Sequence, residues 1–194
     1  MGDSKKFRKP RIAIGITGSS GAIYALDFLK RYPHDKYVVM SKWGKAVMKD
    51  ELGMPNPETV LKPFYKRAFA DTDLTAPLAS GTTDIDAFVI IPATTSTIGK
   101  IASGIGDTLI TRTAAVCLKE RYKMIICVRE TPLSTITLEQ CASLSREGVI
   151  IMPISPPLYF VPKTVDEYVQ GFVNKVLQQC GVTAGKGWRS DELE

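Results

Sequence analysis

The sequence has a single histidine, His34, and four cysteines scattered along its 194 residues. The cysteines form no C-x-x-C pair, and one histidine cannot supply a typical zinc site. We therefore expect no bound metal, no disulfide and a reducing compartment, the cytoplasm. No apolar run approaches the length of a membrane span, and no apolar segment typical of a signal peptide follows the basic start.

Basic charge is concentrated at one end of the chain. The formal net charge is +5, but residues 1–11 hold five Lys or Arg side chains against one Asp, so the remainder is close to neutral. A nucleic-acid groove needs a basic face with interleaved aromatic rings, which a short tail does not provide, so we expect no nucleic-acid partner. We predict a flexible basic tail over residues 1–10, a folded domain over residues 11–182 and a C-terminal tail over residues 183–194.

Apolar runs rich in β-branched residues alternate with helical patterns along the chain. This alternation predicts an α/β fold with a doubly wound parallel sheet, Rossmann/flavodoxin-like, in a single domain. A long connection over residues 54–83 shows no regular pattern, and we expect it to cover a site or an interface. The predicted strands cover residues 11–16, 37–41, 87–92, 124–128 and 149–153, and the predicted helices cover residues 20–31, 44–52, 97–103, 108–121, 137–146 and 165–180.

The segment between the first strand and the first helix reads Gly-Ile-Thr-Gly-Ser-Ser-Gly-Ala over residues 15–22. A strand that ends in glycines and hydroxyls before a helix is typical of an anion site, because backbone N–H groups and the helix N-terminus attract phosphate. Ser19 and Ser20 can cap the helix or donate to such a phosphate. The segment is not G-x-G-x-x-G and has no P-loop lysine, so a capped helix without a ligand stays an alternative.

Polar residues also follow the other predicted strands, at the edge where open parallel sheets bind ligands. Ser41 and Lys42 follow the second strand with no acid to hold ribose hydroxyls, which argues against NAD and favours a phosphate or a flavin. Four hydroxyl residues, 94–97, open the next helix and serve either as donors to a ligand or as an N-cap.

These segments, together with Arg-Thr-Ala-Ala-Val-Cys-Leu-Lys-Glu at 112–120, Val-Arg-Glu-Thr-Pro-Leu-Ser at 128–134 and Tyr159, resemble the UbiX-like flavin prenyltransferases over residues 11–182. These enzymes were long described as 3-octaprenyl-4-hydroxybenzoate decarboxylases or phenolic acid decarboxylase B subunits. The resemblance implies a homododecamer with sites at subunit interfaces. It also implies metal-free transfer of a dimethylallyl group from dimethylallyl monophosphate to N5 and C6 of reduced FMN. The product, prenylated FMN, would serve a separate UbiD-type decarboxylase.

The resemblance further implies a role for each matching residue. Lys119, Glu130 and Glu51 would act in catalysis, Glu51 being an acid that a neighbouring subunit brings to the site. Positive charge would stabilise the phosphate that leaves the donor, and Glu130 would give or take a proton. The FMN contacts would be Gly18, Ser19, Ser20, Ser41, Thr94, Thr95, Ser96, Thr97, Arg112 and Arg129, and the donor would be held by Lys119, Arg129, Glu130, Tyr159 and Lys175. Without the resemblance, Lys119, Arg112 and Lys175 are expected to be solvated surface charges.

One position departs from the family pattern. Leu74 stands just before the Ala-Pro-Leu-Ala-Ser-Gly segment at 76–81, where many relatives carry Trp, so an aromatic wall of the prenyl pocket is either absent or supplied elsewhere, by Trp43 or Trp188. Two alternative functions stay open. A flavin-dependent decarboxylase would need a catalytic histidine, which His34 is badly placed to supply, and an FMN-binding carrier would need no machinery for a leaving phosphate. The sequence also leaves open whether the donor is a monophosphate or a diphosphate.

Overall fold

Six parallel strands form one sheet in the computed structural model, which describes residues 8–185 and residue 189. The order across the sheet is β3-β2-β1-β4-β5-β6, so the doubly wound prediction is confirmed. The strands are β1 (Arg11–Ile16), β2 (Asp35–Met40), β3 (Arg67–Ala70), β4 (Ala87–Ala93), β5 (Lys123–Val128) and β6 (Ile150–Pro153).

Helices cover both faces of the sheet. Helices α1, α2 and α7 pack on one face, and α4, α5 and α6 pack on the other. The helices are α1 (Ala22–Arg31), α2 (Lys42–Leu52), α3 (Pro57–Leu61), α4 (Thr95–Ala102), α5 (Leu109–Glu120), α6 (Thr135–Arg146) and α7 (Val165–Gln179), with short 3₁₀ turns at Lys62–Phe64 and Pro77–Ala79.

The sheet separates two apolar clusters. Phe28 and Val173 are fully buried in the cluster beneath α1 and α7, and Phe88 and Ile98 are fully buried in the cluster on the other face. Each such side chain contributes roughly 1.5–3 kcal/mol relative to an exposed one. Strands β1, β4 and β5 are buried on both faces, as their continuous apolar runs predict, and they give the loops at their carboxyl ends a rigid base.

Strand β3 is missing from the sequence prediction, which treated residues 54–83 as irregular. It has only four residues, lies at the edge of the sheet and begins with the exposed Arg67. A strand this short and this exposed has no apolar run that could identify it. The correction matters for function, because β3 brings the residue that follows it, Asp71, to the carboxyl edge of the sheet.

Several helices begin at different residues from those predicted. Helix α1 starts at Ala22 rather than residue 20, because Gly21 occupies the N-cap position with a left-handed φ of 103°. Helices α4 and α6 each start two residues earlier than predicted, at Thr95 and Thr135, because the hydroxyls of Thr94 and Ser134 cap them.

The N-terminal residues meet the domain at Arg8. Its guanidinium lies 2.6 Å from a carboxylate oxygen of Asp84 and 2.7 Å from one of Asp86. Residues 1–7 of the predicted tail lie outside the described residues, as does most of the predicted C-terminal tail beyond residue 185.

The helices in the described part of the chain include none with the length and apolar character needed to cross a membrane. Over residues 8–185 and 189, no cluster of three His, Cys, Asp or Glu side chains is arranged to hold a metal ion. All four cysteines lie in this part of the chain and are unpaired.

Candidate functional site

The sheet order places a crevice between β1 and β4. From β1 the chain continues to β2 and β3 on one side, then returns to β4 on the other, and ligands of open α/β sheets bind outside such a switch point. Thr17 joins the two sides of the crevice. Its hydroxyl donates to the carbonyl of Pro92 at 2.8 Å and accepts from the N–H of Thr94 at 2.9 Å.

A cleft of about 340 Å³ opens at this edge. It is within the size range of small-molecule sites in proteins. Five of its lining residues, Gly18, Ser41, Thr94, Ser96 and Thr97, are among the predicted FMN contacts; the others are Thr17, Lys42, Trp43, Asp71, Lys100, Thr108, Ile110 and Thr111.

Two helix N-termini face the cleft. Ser41 caps α2 by accepting from the N–H of Gly44 at 3.0 Å, and Thr94 caps α4 by accepting from the N–H of Thr97 at 3.1 Å. Both ends carry partial positive charge, and Lys42 follows directly after one of the two caps. The arrangement is suited to an anion such as a phosphate, held by backbone N–H groups and hydroxyls.

Gly18 allows the β1 loop to approach helix α2 closely. A Cβ atom at this position would overlap the Cβ of Trp43 and lie 3.2 Å from the carbonyl carbon of that residue. Trp43 is 67% exposed, and the ammonium of Lys42 lies 5.3 Å from the centroid of its ring. Trp43 is therefore one of the residues that line the cleft, whereas the other candidate for an aromatic wall, Trp188, lies outside the described residues.

Glu51 binds the N-terminus of α1 from the end of α2. Its carboxylate accepts from the N–H groups of Gly21 and Ala22, each at 2.9 Å, and so supplies the cap that α1 lacks. Burial raises the pKa of this carboxyl, but hydrogen bonds from Ser20, Ala22 and Gly21 and the charge of Arg129 outweigh burial and hold the pKa below its ordinary value. Glu51 is thus ionised at neutral pH.

Within its own chain Glu51 has a structural role, and the expectation that a neighbouring subunit brings this residue to the site stays a prediction. Glu51 already reaches the glycine-rich loop of its own chain, since the end of α2 lies beside the start of α1. The physical reason is local: the chain turns back after β2, so α1 and α2 are neighbours on the same face of the sheet.

Arg129 and Glu130 follow β5 at the same edge. The hydroxyl of Ser19 donates to the carbonyl of Arg129 at 2.6 Å, which ties the β1 loop to the end of β5. The aliphatic part of the Arg129 side chain lies against Gly21. Glu130 is exposed, and its carboxylate accepts from the N–H of Thr131 at 3.0 Å. Ser19, Ser20, Glu51 and Arg129 therefore form one polar group beside the cleft.

Helix α5 carries Arg112 and Lys119 to different places. The N-terminal residues Thr108 and Thr111 line the cleft, but Lys119 lies at the other end of the helix, where the chain turns back into β5. Ten or so residues of helix span about 15 Å. Lys119 is exposed and paired with Glu120, and the Nε of Arg112 donates to the carbonyl of Ala79 at 3.3 Å. One chain does not bring Lys119 to its own cleft.

Tyr159 and Lys175 lie on the opposite side of the molecule from Lys119. Tyr159 follows β6 with its ring against that of Phe160, and Phe160 packs on Gly171 of α7. Lys175 is exposed one turn beyond Gly171, near the end of α7 that reaches the start of β5. Because α5 and α7 cover opposite faces of the sheet, Lys119 and Lys175 cannot meet the same phosphate within one chain.

Sequence reasoning missed several residues of the cleft, namely Thr17, Asp71, Lys100, Thr108 and Thr111. Thr17 lies inside the predicted glycine-rich segment and could have been found there. Asp71 could not, since its position depends on β3. Lys100 pairs with Asp107 at 2.6 Å, which brings the end of α4 and the loop before α5 together. Leu74 is 46% exposed in the turn after Asp71 and does not line the cleft.

The sheet order, the switch-point cleft and its two capped helix ends define a class, the doubly wound α/β proteins that bind a phosphate-bearing ligand at the carboxyl edge. Comparison with known proteins narrows this class. The family model described as Flavoprotein matches residues 2–176. A flavin prenyltransferase UbiX of Thermoplasma acidophilum is 44% identical over 175 residues, which cover 89% of this chain and 95% of that protein.

Two solved structures are similar to the chain throughout. AnUbiX in complex with FMN and dimethylallyl pyrophosphate matches with a TM-score of 0.87 and 30% identity, covering 94% of this chain and 100% of that one. A dodecameric FMN-dependent UbiX-like decarboxylase from Escherichia coli matches with a TM-score of 0.85 and 34% identity, covering 92% and 100%. The chain belongs to the flavoprotein family and, within it, to the UbiX-like flavin prenyltransferases.

Proposed function

We propose that this protein is a flavin prenyltransferase, which transfers a dimethylallyl group from dimethylallyl monophosphate to N5 and C6 of reduced FMN. The observation that carries the proposal is the switch-point cleft, where the capped N-termini of α2 and α4 meet the glycine-rich loop. Relatives that match about nine tenths of the chain carry the name flavin prenyltransferase.

The residues of the cleft fit FMN. The caps at Ser41 and Thr94 provide N–H groups and hydroxyls for its phosphate, and residues 95–97 extend the same surface. Gly18 lines the cleft from the β1 loop, where the ring system would lie, and Ser19 ties that loop to Arg129. The bound reduced flavin would supply the nucleophilic nitrogen and carbon that accept the prenyl group.

The donor phosphate needs cations that one chain does not gather. Lys119 and Lys175 lie on opposite faces, away from the cleft, while Arg129 and Glu130 lie beside it. We therefore propose that copies of the chain complete each other's sites, in a homododecamer like the dodecameric Escherichia coli relative. In that assembly Lys119, Lys175 and Tyr159 would hold the departing phosphate, and Glu130 or Glu51 would exchange the proton.

The two alternative functions are an FMN carrier and a flavin-dependent decarboxylase. The exposed, dispersed positions of Lys119 and Lys175 are the observation that favours an FMN carrier. A decarboxylase that needs a catalytic histidine is disfavoured by position: His34 directly precedes β2 and so lies at the amino edge, opposite the cleft.

The destination of the product is also a proposal. We propose that the prenylated FMN passes to a UbiD-type decarboxylase, since it is a cofactor rather than an end product. The four unpaired cysteines support the cytoplasm as the place of action, because disulfides are rare in reducing compartments.

Anaerobic incubation with reduced FMN and dimethylallyl monophosphate, followed by mass spectrometry of the extracted flavin, tests the function directly. We expect a flavin heavier by one five-carbon unit. A parallel incubation with the diphosphate donor decides which donor is used. Unmodified FMN in both incubations, with FMN still bound, would support the carrier and refute the transferase.

A further inference from the structure

Asp71 stands in a row of three residues at the carboxyl edge of the sheet. Ile16 pairs with Met40, and Met40 pairs with Ala70, so the residues that follow them, Thr17, Ser41 and Asp71, leave neighbouring strands side by side. Neighbouring strands lie about 4.8 Å apart, so the row is about 10 Å long. All three residues line the cleft.

The three side chains differ in what they can still bind. The Thr17 hydroxyl is engaged on both sides, by Pro92 and by Thr94, and the Ser41 oxygen accepts from the N–H of Gly44. One oxygen of the Asp71 carboxylate, Oδ1, accepts from the N–H of Ile110 at 3.0 Å. Within the described residues, the other oxygen has no hydrogen-bond partner and remains available as an acceptor.

The backbone also holds Asp71 in place. Its carbonyl accepts from the N–H of Leu109 at 2.7 Å, so main chain and side chain together cap the first turn of α5. This helix start carries Thr108 and Thr111 into the same cleft. The free carboxylate oxygen is therefore fixed in orientation before any ligand arrives.

A carboxylate here selects for hydroxyl groups. It repels a phosphate, which the N-termini of α2 and α4 attract instead, and it has no hydrogen atom to donate to a carbonyl. Doubly wound folds hold ribose hydroxyls with an acid after β2, a position that Ser41 occupies here. Asp71 provides the acid one strand further along.

We infer that the carboxylate of Asp71 accepts hydrogen bonds from the ribityl hydroxyls of the flavin and is a specificity-determining residue of the cleft. The inference rests on the proposed function, because it assumes that FMN occupies this cleft. It goes further by assigning recognition of the polyol chain, distinct from the phosphate and the ring system, to one residue. A phosphate carried on an alkyl chain without hydroxyls would then be discriminated against.

The test compares two ligands on two variants. The ligands are FMN and a flavin whose side chain is an unhydroxylated pentyl group with the same terminal phosphate. The variants are Asp71→Asn, whose amide oxygen still accepts from Ile110, and Asp73→Asn, a control in a turn outside the cleft. Flavin fluorescence quenching gives both dissociation constants on one preparation, so their ratio does not depend on the fraction of folded protein.

We expect Asp71→Asn to lower the affinity for FMN about tenfold and to leave the affinity for the pentyl analogue unchanged. Asp73→Asn should change neither affinity. An equal loss for both ligands would reduce Asp71 to a helix cap, and tighter FMN binding would mean that it faces the phosphate; either result overturns the inference. Failure of the unaltered protein to bind FMN would instead refute the flavin site, and the inference with it.

Discussion

At the scale of single residues, Glu51 shows how one carboxylate can hold a loop and also place a negative charge beside the cleft. It gives α1 the acceptor that Gly21 lacks, and the N–H groups and hydroxyl around it keep it ionised. The same negative charge lies close to Arg129. A substitution here therefore alters both the shape of the β1 loop and the charge beside the cleft.

Glu51→Gln should lower the free energy of unfolding at pH 7 by about 1 kcal/mol, a modest value because the side chain is partly exposed and screened by solvent. Prenyl transfer should fall more than FMN affinity. Urea denaturation and flavin titration measure the two effects. Asp50→Asn is the matched control, since Asp50 is the exposed neighbour on α2 and should change neither.

The stability difference should also depend on pH. The pKa of Glu51 is lower in the folded protein, so its contribution is complete above the ordinary glutamate value of about 4.3 and is lost as the pH falls through the folded value. Unfolding curves at pH 7, 5 and 3.5 should show the difference in unfolding free energy between the wild type and Glu51→Gln shrinking at the lowest pH. A gap that stays constant would mean that Glu51 contributes no ionisation-linked stability.

Gly18→Ala should destabilise the protein by about 1–3 kcal/mol, because the new methyl group overlaps Trp43 and forces the β1 loop away from α2. FMN affinity should fall with it. Gly99→Ala in α4 is the control, because a Cβ there meets only the side chain of Gln140 at 3.4 Å. Thermal unfolding of the two variants side by side gives the comparison, and equal behaviour would contradict the close approach.

At the scale of secondary structure elements, two helix N-termini are each capped by a threonine hydroxyl, but only one of them lies at the cleft. Thr94 caps α4 at the cleft, and Thr164 caps α7 by accepting from the N–H of Glu167 at 3.1 Å, outside the cleft. Each cap contributes about 1 kcal/mol to stability. Comparing substitutions at Thr94 and Thr164 therefore distinguishes the loss of a helix cap from the loss of an anion-binding N-terminus.

Thr94→Ala and Thr164→Ala should each lower the free energy of unfolding by about 1 kcal/mol. Only Thr94→Ala should also lower the affinity for FMN, by roughly tenfold. Chemical denaturation and flavin fluorescence quenching distinguish the two effects. If Thr164→Ala weakened FMN equally, the loss would reflect general destabilisation, and the assignment of the α4 N-terminus to the flavin phosphate would be wrong.

At the scale of the whole molecule, α5 and α7 place Lys119 and Lys175 on opposite faces of one sheet. A closed assembly can bring such distant groups together by placing one copy's α5 or α7 against another copy's cleft. Light scattering should then give a particle of about twelve times the chain mass of 21.3 kDa. A monomer at micromolar concentration would refute the shared site.

Mixed assemblies test the sharing itself. Lys119→Ala and Arg129→Ala should each be inactive alone, because one removes the cation proposed to hold the donor phosphate and the other removes a residue beside the cleft. Co-expressed in equal amounts, they should recover about one quarter of wild-type activity, as random assortment pairs an intact cleft with an intact Lys119 at that frequency. No recovery would mean that both residues serve the same chain.

The fold was largely predictable because its signals are local. The sequence pattern is enough to recognise long apolar strands such as β1 and β4 and periodic helices such as α5 and α7. The short edge strand β3 does not, because pairing with β2, rather than its own composition, makes it a strand. The family match to residues 112–120 and 128–134 identified the chemistry, since those blocks are specific in order and spacing.

The sequence by itself determined the doubly wound sheet and the glycine-rich loop, because each depends on residues that are neighbours along the chain. Only the tertiary structure decided that Glu51 caps α1 of its own chain, that Asp71 joins the cleft, and that Lys119 and Lys175 lie on opposite faces. These facts depend on strand order and helix packing, which bring together residues that are remote in sequence or hold them apart.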